Sequence, residues 1–147
     1  MISGAGPDRA FSSNDPVLDV ANWWDFRVTG DVTNQRWDLV YITDHNGFSY
    51  FQVVNKHSGK CLDKSMDAGN VDGAQVYQYS CSNSSANQLW RIDWECDFRD
   101  FFQLHDYADN RCLDIRNRVD ANDASLQVWT CGFHAWNQEW YYTTEST

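Results

Sequence analysis

The motif Asn-Gln-x-Trp occurs three times in this chain of 147 residues, at residues 34–37, 87–90 and 137–140. The Asn residues are 53 and then 50 residues apart. When the copies are aligned on these Asn residues, an aromatic residue falls eight positions before each one, as Phe26, Tyr79 and Trp129. Because this register is independent of the motif itself, it indicates a threefold internal repeat whose units bury their apolar faces against one another.

Each repeat also contains a Leu-Asp pair upstream of the aromatic position. In the second and third repeats the pair is preceded by Cys and ends at Asp63 and Asp114, whereas the first repeat has Val17 before Leu18-Asp19. Together with the Gln-x-Trp motifs, this pattern resembles the ricin-type β-trefoil family over roughly residues 14 to 142. The resemblance implies an all-β fold, a β-trefoil of three four-stranded repeats with pseudo-threefold symmetry, and up to three shallow sugar sites.

The chain length suits one domain with an ordinary core. We expect a single ricin B-like trefoil over residues 11–147, with repeats at about 11–48, 49–99 and 100–147. Residues 1–10 lack the basic and apolar regions of a signal peptide and are interpreted as a linker or a cloning remnant. Two β-rich runs flank Asn46-Gly47, which predicts a hairpin that joins the first repeat to the second.

The formal net charge of −10 limits the kinds of partner. A negative field repels phosphate backbones and anionic lipid, so we expect no nucleic-acid partner. No apolar run approaches the ~20 residues of a membrane span, so we also expect no membrane insertion. Neutral glycans fit this charge better.

Four of the five cysteines occupy matching positions in two repeats. Cys61 with Cys81 and Cys112 with Cys131 would close loops of 20 and 19 residues. As disulfides, each would stabilise the fold by about 3 kcal/mol and would indicate an oxidising compartment, hence a secreted, extracellular protein. Cys96 has no counterpart and is interpreted as a free thiol, with intermolecular pairing as the other option. The alternative is a cytosolic protein with five reduced thiols.

By resemblance, the third repeat supplies every part of a sugar site. The Asp114 carboxylate would accept charge-assisted hydrogen bonds from two vicinal hydroxyls. The Trp129 ring would pack on the C–H face of a galactose-type sugar. The Asn137 amide would donate and accept toward the same hydroxyls, with Gln127 and Gln138 as supporting polar groups.

The other repeats match less completely. The second would use Asp63, Tyr77, Tyr79, Asn87 and Gln88, with Tyr77 in the place of the family's first Gln. The first would use Asp19, Phe26, Asn34 and Gln35, but its loop is about nine residues shorter, so we expect a weak or lost site. The competing interpretation of each Asp is a turn cap that bonds its own backbone. Trp37, Trp90 and Trp140 of the motifs are expected in the core.

A catalytic function is not supported by any motif. The chain has no Gly-x-Ser-x-Gly, His-Glu-x-x-His or Cys-x-x-Cys, and no carboxylate pair whose spacing assigns acid and base roles. The four histidines are scattered and are interpreted as surface or locally hydrogen-bonded residues. We therefore expect no enzyme, no cofactor and no metal.

The favoured function is a lectin domain for galactose or N-acetylgalactosamine on glycans and glycoproteins. One alternative is a carbohydrate-binding module, for xylan or a similar polymer, within a larger glycoside hydrolase or glycosyltransferase. Another is a trefoil that contacts proteins, such as a protease inhibitor or toxin subunit, because the degraded first repeat leaves its surface open to a protein partner.

Overall fold

The computed structural model describes residues 2–4, 9–13, 21–25, 35–94, 102–118, 124–132 and 135–142. Within these residues the regular structure is β-strand, with a few single-turn 3-10 helices. No helix in these segments has the length and apolarity needed to cross a membrane. The predicted all-β fold is confirmed.

Each repeat contributes four strands. The first repeat contains β1 Ile2–Gly4, β2 Arg9–Ser13, β3 Ala21–Asp25 and β4 Trp37–His45. The second contains β5 Phe48–Asn55, β6 Cys61–Lys64, β7 Val76–Tyr79 and β8 Trp90–Trp94. The third contains β9 Phe102–Asp106, β10 Cys112–Ile115, β11 Ala124–Trp129 and β12 Trp140–Tyr142. The β-trefoil prediction is thereby confirmed.

Antiparallel pairing joins the repeats into one barrel-like sheet. Strand β1 pairs with β12, β12 with β9, β9 with β8, β8 with β5, and β5 with β4. The remaining strands form the hairpins β2–β3, β6–β7 and β10–β11. The predicted turn at Asn46-Gly47 joins β4 to β5, with positive φ angles of 50° and 83° that a two-residue hairpin loop requires.

The prediction of a linker over residues 1–10 is wrong for two parts of that segment. Ile2–Gly4 forms β1, and its three residues pair with Tyr142, Tyr141 and Trp140 of β12. Arg9 and Ala10 begin β2, which pairs with β3. Backbone pairing with the last strand of the chain was not predictable from the composition of this Gly-containing segment.

The core contains the aromatic and Leu residues of the repeat motifs. Trp90 and Trp140 are fully buried and Trp37 is nearly so, as predicted. The Trp90 indole N–H donates to the Leu62 carbonyl at 3.0 Å, and the Trp140 indole N–H donates to the Leu113 carbonyl at 3.3 Å. A buried indole N–H needs such an acceptor. Each Trp therefore fixes the backbone one residue before the Asp of its own repeat.

Both predicted disulfides, Cys61–Cys81 and Cys112–Cys131, are present. Each lies at the end of its hairpin, since Cys61 is paired with Tyr79 and Cys112 with Trp129 across the strands. The disulfides therefore hold the exposed aromatic position of each repeat close to its Leu-Asp strand. Cys96 lies outside the described residues.

A buried ion pair ties the second repeat to the third. Lys64, at the end of β6, is fully buried, and its Nζ lies 3.1 Å from Asp106 Oδ1 and 3.4 Å from Asp109 Oδ1. It also donates to Asn70 Oδ1 at 2.8 Å. A buried ammonium is tolerated only when it is paired in this way. The sequence did not predict this contact, because Lys is ordinarily a surface residue.

Candidate functional site

The third repeat brings all five of its predicted site residues around one pocket. Asp114 on β10 is directly opposite Gln127 on β11. Gln127 stands two residues before Trp129, so both side chains lie on the same face of β11. The 3-10 helix Trp136–Gln138 places Asn137 and Gln138 beside them. Side chains from β11 and from the 3-10 helix therefore meet at one carboxylate on β10.

Asp114 is 3% exposed and accepts hydrogen bonds from three side-chain amides. Gln127 Nε2 donates to Oδ1 at 3.0 Å, while Asn137 Nδ2 and Gln138 Nε2 donate to Oδ2 at 2.9 and 2.8 Å. A carboxylate offers about four acceptor positions. The three amides occupy three of these positions, which leaves one on Oδ1.

The environment of Asp114 shifts its acidity in opposing directions. Burial, the largest influence, raises the pKa, while the three amide donors and the Arg118 charge lower it, and the net pKa lies above the usual 3.8. Burial prevails because desolvation disfavours the ionised form. The amide donors therefore stabilise the ionised form of Asp114, whereas its burial destabilises that form.

The pocket above Asp114 has a volume of about 410 Å³. Trp129 forms one wall and is 45% exposed, so much of its ring is available to a ligand. Asn137 is 6% exposed, and its Oδ1 has no hydrogen-bond partner among the described residues. A buried acceptor without a partner is costly unless a ligand or water donates to it.

Gln138 has a structural role in addition to its contact with Asp114. Its Nε2 also donates to the Thr130 carbonyl at 3.1 Å, and its Oε1 accepts from the Gly132 backbone N–H at 2.8 Å. The side chain therefore holds the segment after β11 against the carboxylate. Gln127, in contrast, contacts Asp114 across the hairpin as a single donor.

The second repeat has the same framework with fewer amides. Asp63 on β6 is 5% exposed and lies opposite Tyr77 on β7. Gln88 Nε2 donates to Asp63 Oδ2 at 3.0 Å and to the Ser80 carbonyl at 2.9 Å, and Gln88 Oε1 accepts from the Ser82 N–H at 2.9 Å. Burial raises the pKa of Asp63, with only the Gln88 donor opposing it.

The aromatic wall of the second repeat also differs. Tyr79 is 52% exposed, at the position of Trp129, and its ring meets that of Tyr77 edge to face with centroids 6.2 Å apart. Asn87 is only half-buried, whereas Asn137 is buried. The replacement of the family's Gln by Tyr77 thus exchanges an amide for a second aromatic ring beside Asp63.

Most of the first-repeat candidates lie outside the described residues. These are Asp19, Phe26 and Asn34, whose predicted roles stay predictions. Gln35 is described and is 1% exposed, like Gln88 and Gln138. The glutamine of each motif is therefore buried in all three repeats.

Two residues of the second repeat contact the strand end that carries Trp129, and neither was predicted. Asp72 Oδ1 accepts from the Thr130 N–H at 2.7 Å and from the Thr130 hydroxyl at 2.9 Å. Gly73 lies beside Trp129, because a Cβ added there would be 3.8 Å from a ring carbon. The Gly73 N–H donates to the Val128 carbonyl at 2.9 Å. The β6–β7 loop therefore supports the Trp129 strand from outside.

One histidine is more buried than predicted. His105 on β9 is 4% exposed and lies within 3.4 Å of Cys112 Sγ and 3.6 Å of Cys131 Sγ. These three residues could resemble a metal cluster by distance. The two sulfurs are bonded to each other as a disulfide, however, so they are not available as thiolate ligands.

Comparison with known proteins supports the same fold. The family model for the ricin-type beta-trefoil lectin domain-like family matches residues 33–129. Nigrin b of Sambucus nigra is 24% identical over 115 residues, which is 68% of this chain and 20% of that protein. The chain thus spans about a fifth of the length of Nigrin b.

Two solved structures show the likeness in three dimensions. The designed threefold-symmetric protein ThreeFoil is 28% identical, with a TM-score of 0.78, and the match covers 95% of this chain and 94% of that one. The ricin B-like lectin of Macrolepiota procera, solved in complex with lactose, is 15% identical, with a TM-score of 0.73 and coverage of 95% and 90%. At this identity the second match establishes the fold alone. With the family match over most of its length, the chain belongs to the ricin-type β-trefoil lectin domain-like family.

Proposed function

We propose that this protein is a secreted lectin domain that binds galactose-type sugars, galactose or N-acetylgalactosamine, without chemical turnover. The third-repeat pocket is the principal site. The second repeat provides a weaker one around Asp63 and Tyr79. The ricin-type family supports carbohydrate binding in general, and the geometry of the pocket supports the choice of sugar.

The main support for the proposal is the side-chain amide of Asn137, in which only one of the two polar atoms forms a hydrogen bond within the described residues. Its Nδ2 donates to Asp114, while its Oδ1 is buried and has no partner in the described part of the chain, in a residue that lines the same pocket as Trp129. One sugar hydroxyl can donate to Asn137 Oδ1 and a neighbouring hydroxyl to the open position on Asp114 Oδ1. The exposed Trp129 ring suits the apolar C–H face that an axial O4 leaves on galactose.

Shallow sites of this kind bind weakly, with a Kd of about 1 mM, because few ligand atoms are desolvated. Two such sites on one rigid domain gain by multivalency on a surface dense in glycans. The two disulfides are consistent with an oxidising, extracellular location.

Amide NMR titration with galactose, N-acetylgalactosamine, lactose and xylose tests the proposal. We expect shifts around Asp114, Trp129 and Asn137, and a weaker set around Asp63 and Tyr79. Asp114→Asn should abolish the first set and leave the second, and Asp63→Asn should do the reverse. Asp67→Asn is the matched control, because Asp67 is an exposed carboxylate of the β6–β7 loop.

The same titration separates the alternatives. Binding of xylose, with no response to galactose, would favour a carbohydrate-binding module for plant polymers. Silence for all four sugars would refute the lectin proposal and direct the search toward protein partners. Release of free sugar from a galactoside during long incubation would refute the absence of turnover.

A further inference from the structure

Arg118 lies at the edge of the third-repeat pocket, and its role described so far is the effect of its charge on the pKa of Asp114. It ends the turn at residues 116–118, which directly follows β10, and its side chain is exposed. Among the ten described residues that line the pocket, Arg118 is the one cation and Asp114 the one anion. An arginine at this position is notable in a chain whose formal net charge is −10.

The backbone that presents Arg118 is unusual. Asn117 and Arg118 have φ angles of 59° and 53°, in the left-handed region. Asn enters this region readily, but a long side chain such as Arg seldom does. Backbone conformations of this type recur at ligand sites, where the surrounding structure holds them. The turn therefore directs a guanidinium to the pocket edge at a conformational cost.

Arg118 forms no salt bridge in the described part of the chain, although its charge lies close enough to Asp114 to lower the pKa of that carboxyl. Its guanidinium lies over the Trp136 ring, 5.9 Å from the ring centroid. Arg111, a few residues earlier, is instead paired with Asp72 and Asp109. The Asp114 carboxylate is occupied by three amides. Arg118 is thus the group at this pocket that is available to an anion.

We propose that Arg118 forms an anion subsite that makes the third-repeat pocket favour galactosides bearing a sulfate or carboxylate group over the neutral sugar. This inference rests on the proposed function of the same pocket. A planar guanidinium can donate two parallel hydrogen bonds to either anion. Since Arg118 is exposed, the gain is modest, about two- to fivefold in affinity at low salt, and it is screened at high salt.

The experiment compares three ligands by isothermal titration or NMR: lactose, lactose sulfated on its galactose, and sialyllactose. Each is titrated at low and at high salt into the wild type, Arg118→Gln, Arg118→Lys and Arg116→Gln. The last is the matched control, because Arg116 is in the same turn and carries the same charge, but its Nη2 donates to the Gly73 carbonyl at 3.1 Å.

We expect the wild type to bind at least one charged ligand about two- to fivefold more tightly than lactose at low salt. In Arg118→Gln this ratio should fall to about one, Arg118→Lys should keep part of it, and Arg116→Gln should keep it. The charged ligand with the larger ratio identifies sulfate or carboxylate as the preferred group. Equal binding of charged and neutral ligands by the wild type, or equal losses in the two Gln variants, would overturn the subsite.

Failure of the subsite is distinguishable from failure of the lectin proposal. If charged ligands bind in an Arg118-dependent manner while lactose does not bind, the neutral-sugar function is wrong and the anion subsite stands. If lactose binds and the charge preference is absent, the reverse holds. If no ligand binds, both are overturned.

Discussion

Asp72 of the second repeat accepts hydrogen bonds from both the backbone N–H and the hydroxyl of Thr130 in the third, at 2.7 and 2.9 Å. Arg111 Nε contacts the same carboxylate oxygen at 2.8 Å. Thr130 lines the third-repeat pocket and directly follows Trp129. A carboxylate from one repeat therefore holds the wall of the site in the next.

Replacing Asp72 by Ala should weaken sugar binding at the third-repeat site. The Thr130 N–H loses its acceptor, Arg111 loses one of its two carboxylate partners, and the Trp129 strand end is less firmly held. We expect affinity there to fall a few-fold, in line with the net value of one or two hydrogen bonds, while the second-repeat site is unaffected. Residue-resolved NMR titration measures both sites in one experiment.

Asp67→Ala is the control for this prediction, because it removes the same charge from the same loop at an exposed position. An equal loss in the two variants would mean that the net charge of the loop, and not the contact with Thr130, controls affinity. Unaltered binding in Asp72→Ala would contradict the prediction directly.

Two glutamines that both contact Asp114 should behave differently when truncated. Gln138→Ala removes a donor to Asp114 and also leaves the Gly132 N–H and the Thr130 carbonyl without their partner. We expect it to lower the free energy of unfolding by about 1–3 kcal/mol and to weaken binding. Gln127→Ala removes one donor to Asp114 and should chiefly affect binding.

Urea denaturation and sugar titration of the two variants test this distinction. Gln88→Ala provides a parallel for Gln138→Ala, since Gln88 makes the equivalent contacts with Asp63, Ser80 and Ser82. It should destabilise the fold by a similar amount while leaving the third-repeat site intact. Equal stabilities for Gln127→Ala and Gln138→Ala would disprove the structural role.

The parts of this molecule that were predictable from sequence are those that occur in more than one repeat. The motif Trp residues recur in all three repeats, and the Cys61–Cys81 and Cys112–Cys131 pairs recur in the second and third. Gln138 beside Asp114 likewise corresponds to Gln88 beside Asp63, so the pattern of one repeat predicts that of another. The role of Asp72 has no such signal, because its partner Thr130 is 58 residues away in another repeat. Pairing between β1 and β12 joins the ends of the chain and has no local pattern either.

Sugar binding at the third repeat should decrease on mild acidification. Burial raises the pKa of Asp114 above 3.8 despite its amide donors. Once protonated, the carboxyl is a poorer acceptor for a ligand hydroxyl, and its amide partners must rearrange. Affinity should therefore fall as pH decreases through the raised pKa of Asp114, as measured by titration with galactose between pH 7 and 4.

The protonation of Asp114 that weakens binding should not unfold the protein. Between 3.8 and its raised pKa, native Asp114 holds a proton that the unfolded chain has released. The native state then binds more protons, so the contribution of this group to stability increases as pH falls. Asp63 acts in the same direction. Loss of binding that coincides with loss of near-UV circular dichroism would contradict this separation.

His105 should act on stability in the opposite sense. Burial is the main cause that lowers its pKa below 6.5, with the neighbouring Arg91 charge adding to the effect and Asp93 opposing it. As pH falls below 6.5, the unfolded chain takes up a proton on this residue before the native state does. Stability from His105 is therefore lost progressively from pH 6.5 down to the lowered native pKa.

The second repeat itself supplies the substitution that tests this. Val54 pairs with Cys61 as His105 pairs with Cys112, so His105→Val copies a residue already accommodated beside a disulfide in this fold. The variant should show a smaller decrease in the free energy of unfolding between pH 7 and 5 than the wild type, by about 1.4 kcal/mol for each unit of pKa lowering. His57→Val, at an exposed position, is the control. Urea denaturation at several pH values measures the slopes, and identical slopes for the wild type and His105→Val would show that the buried imidazole is not the titrating group.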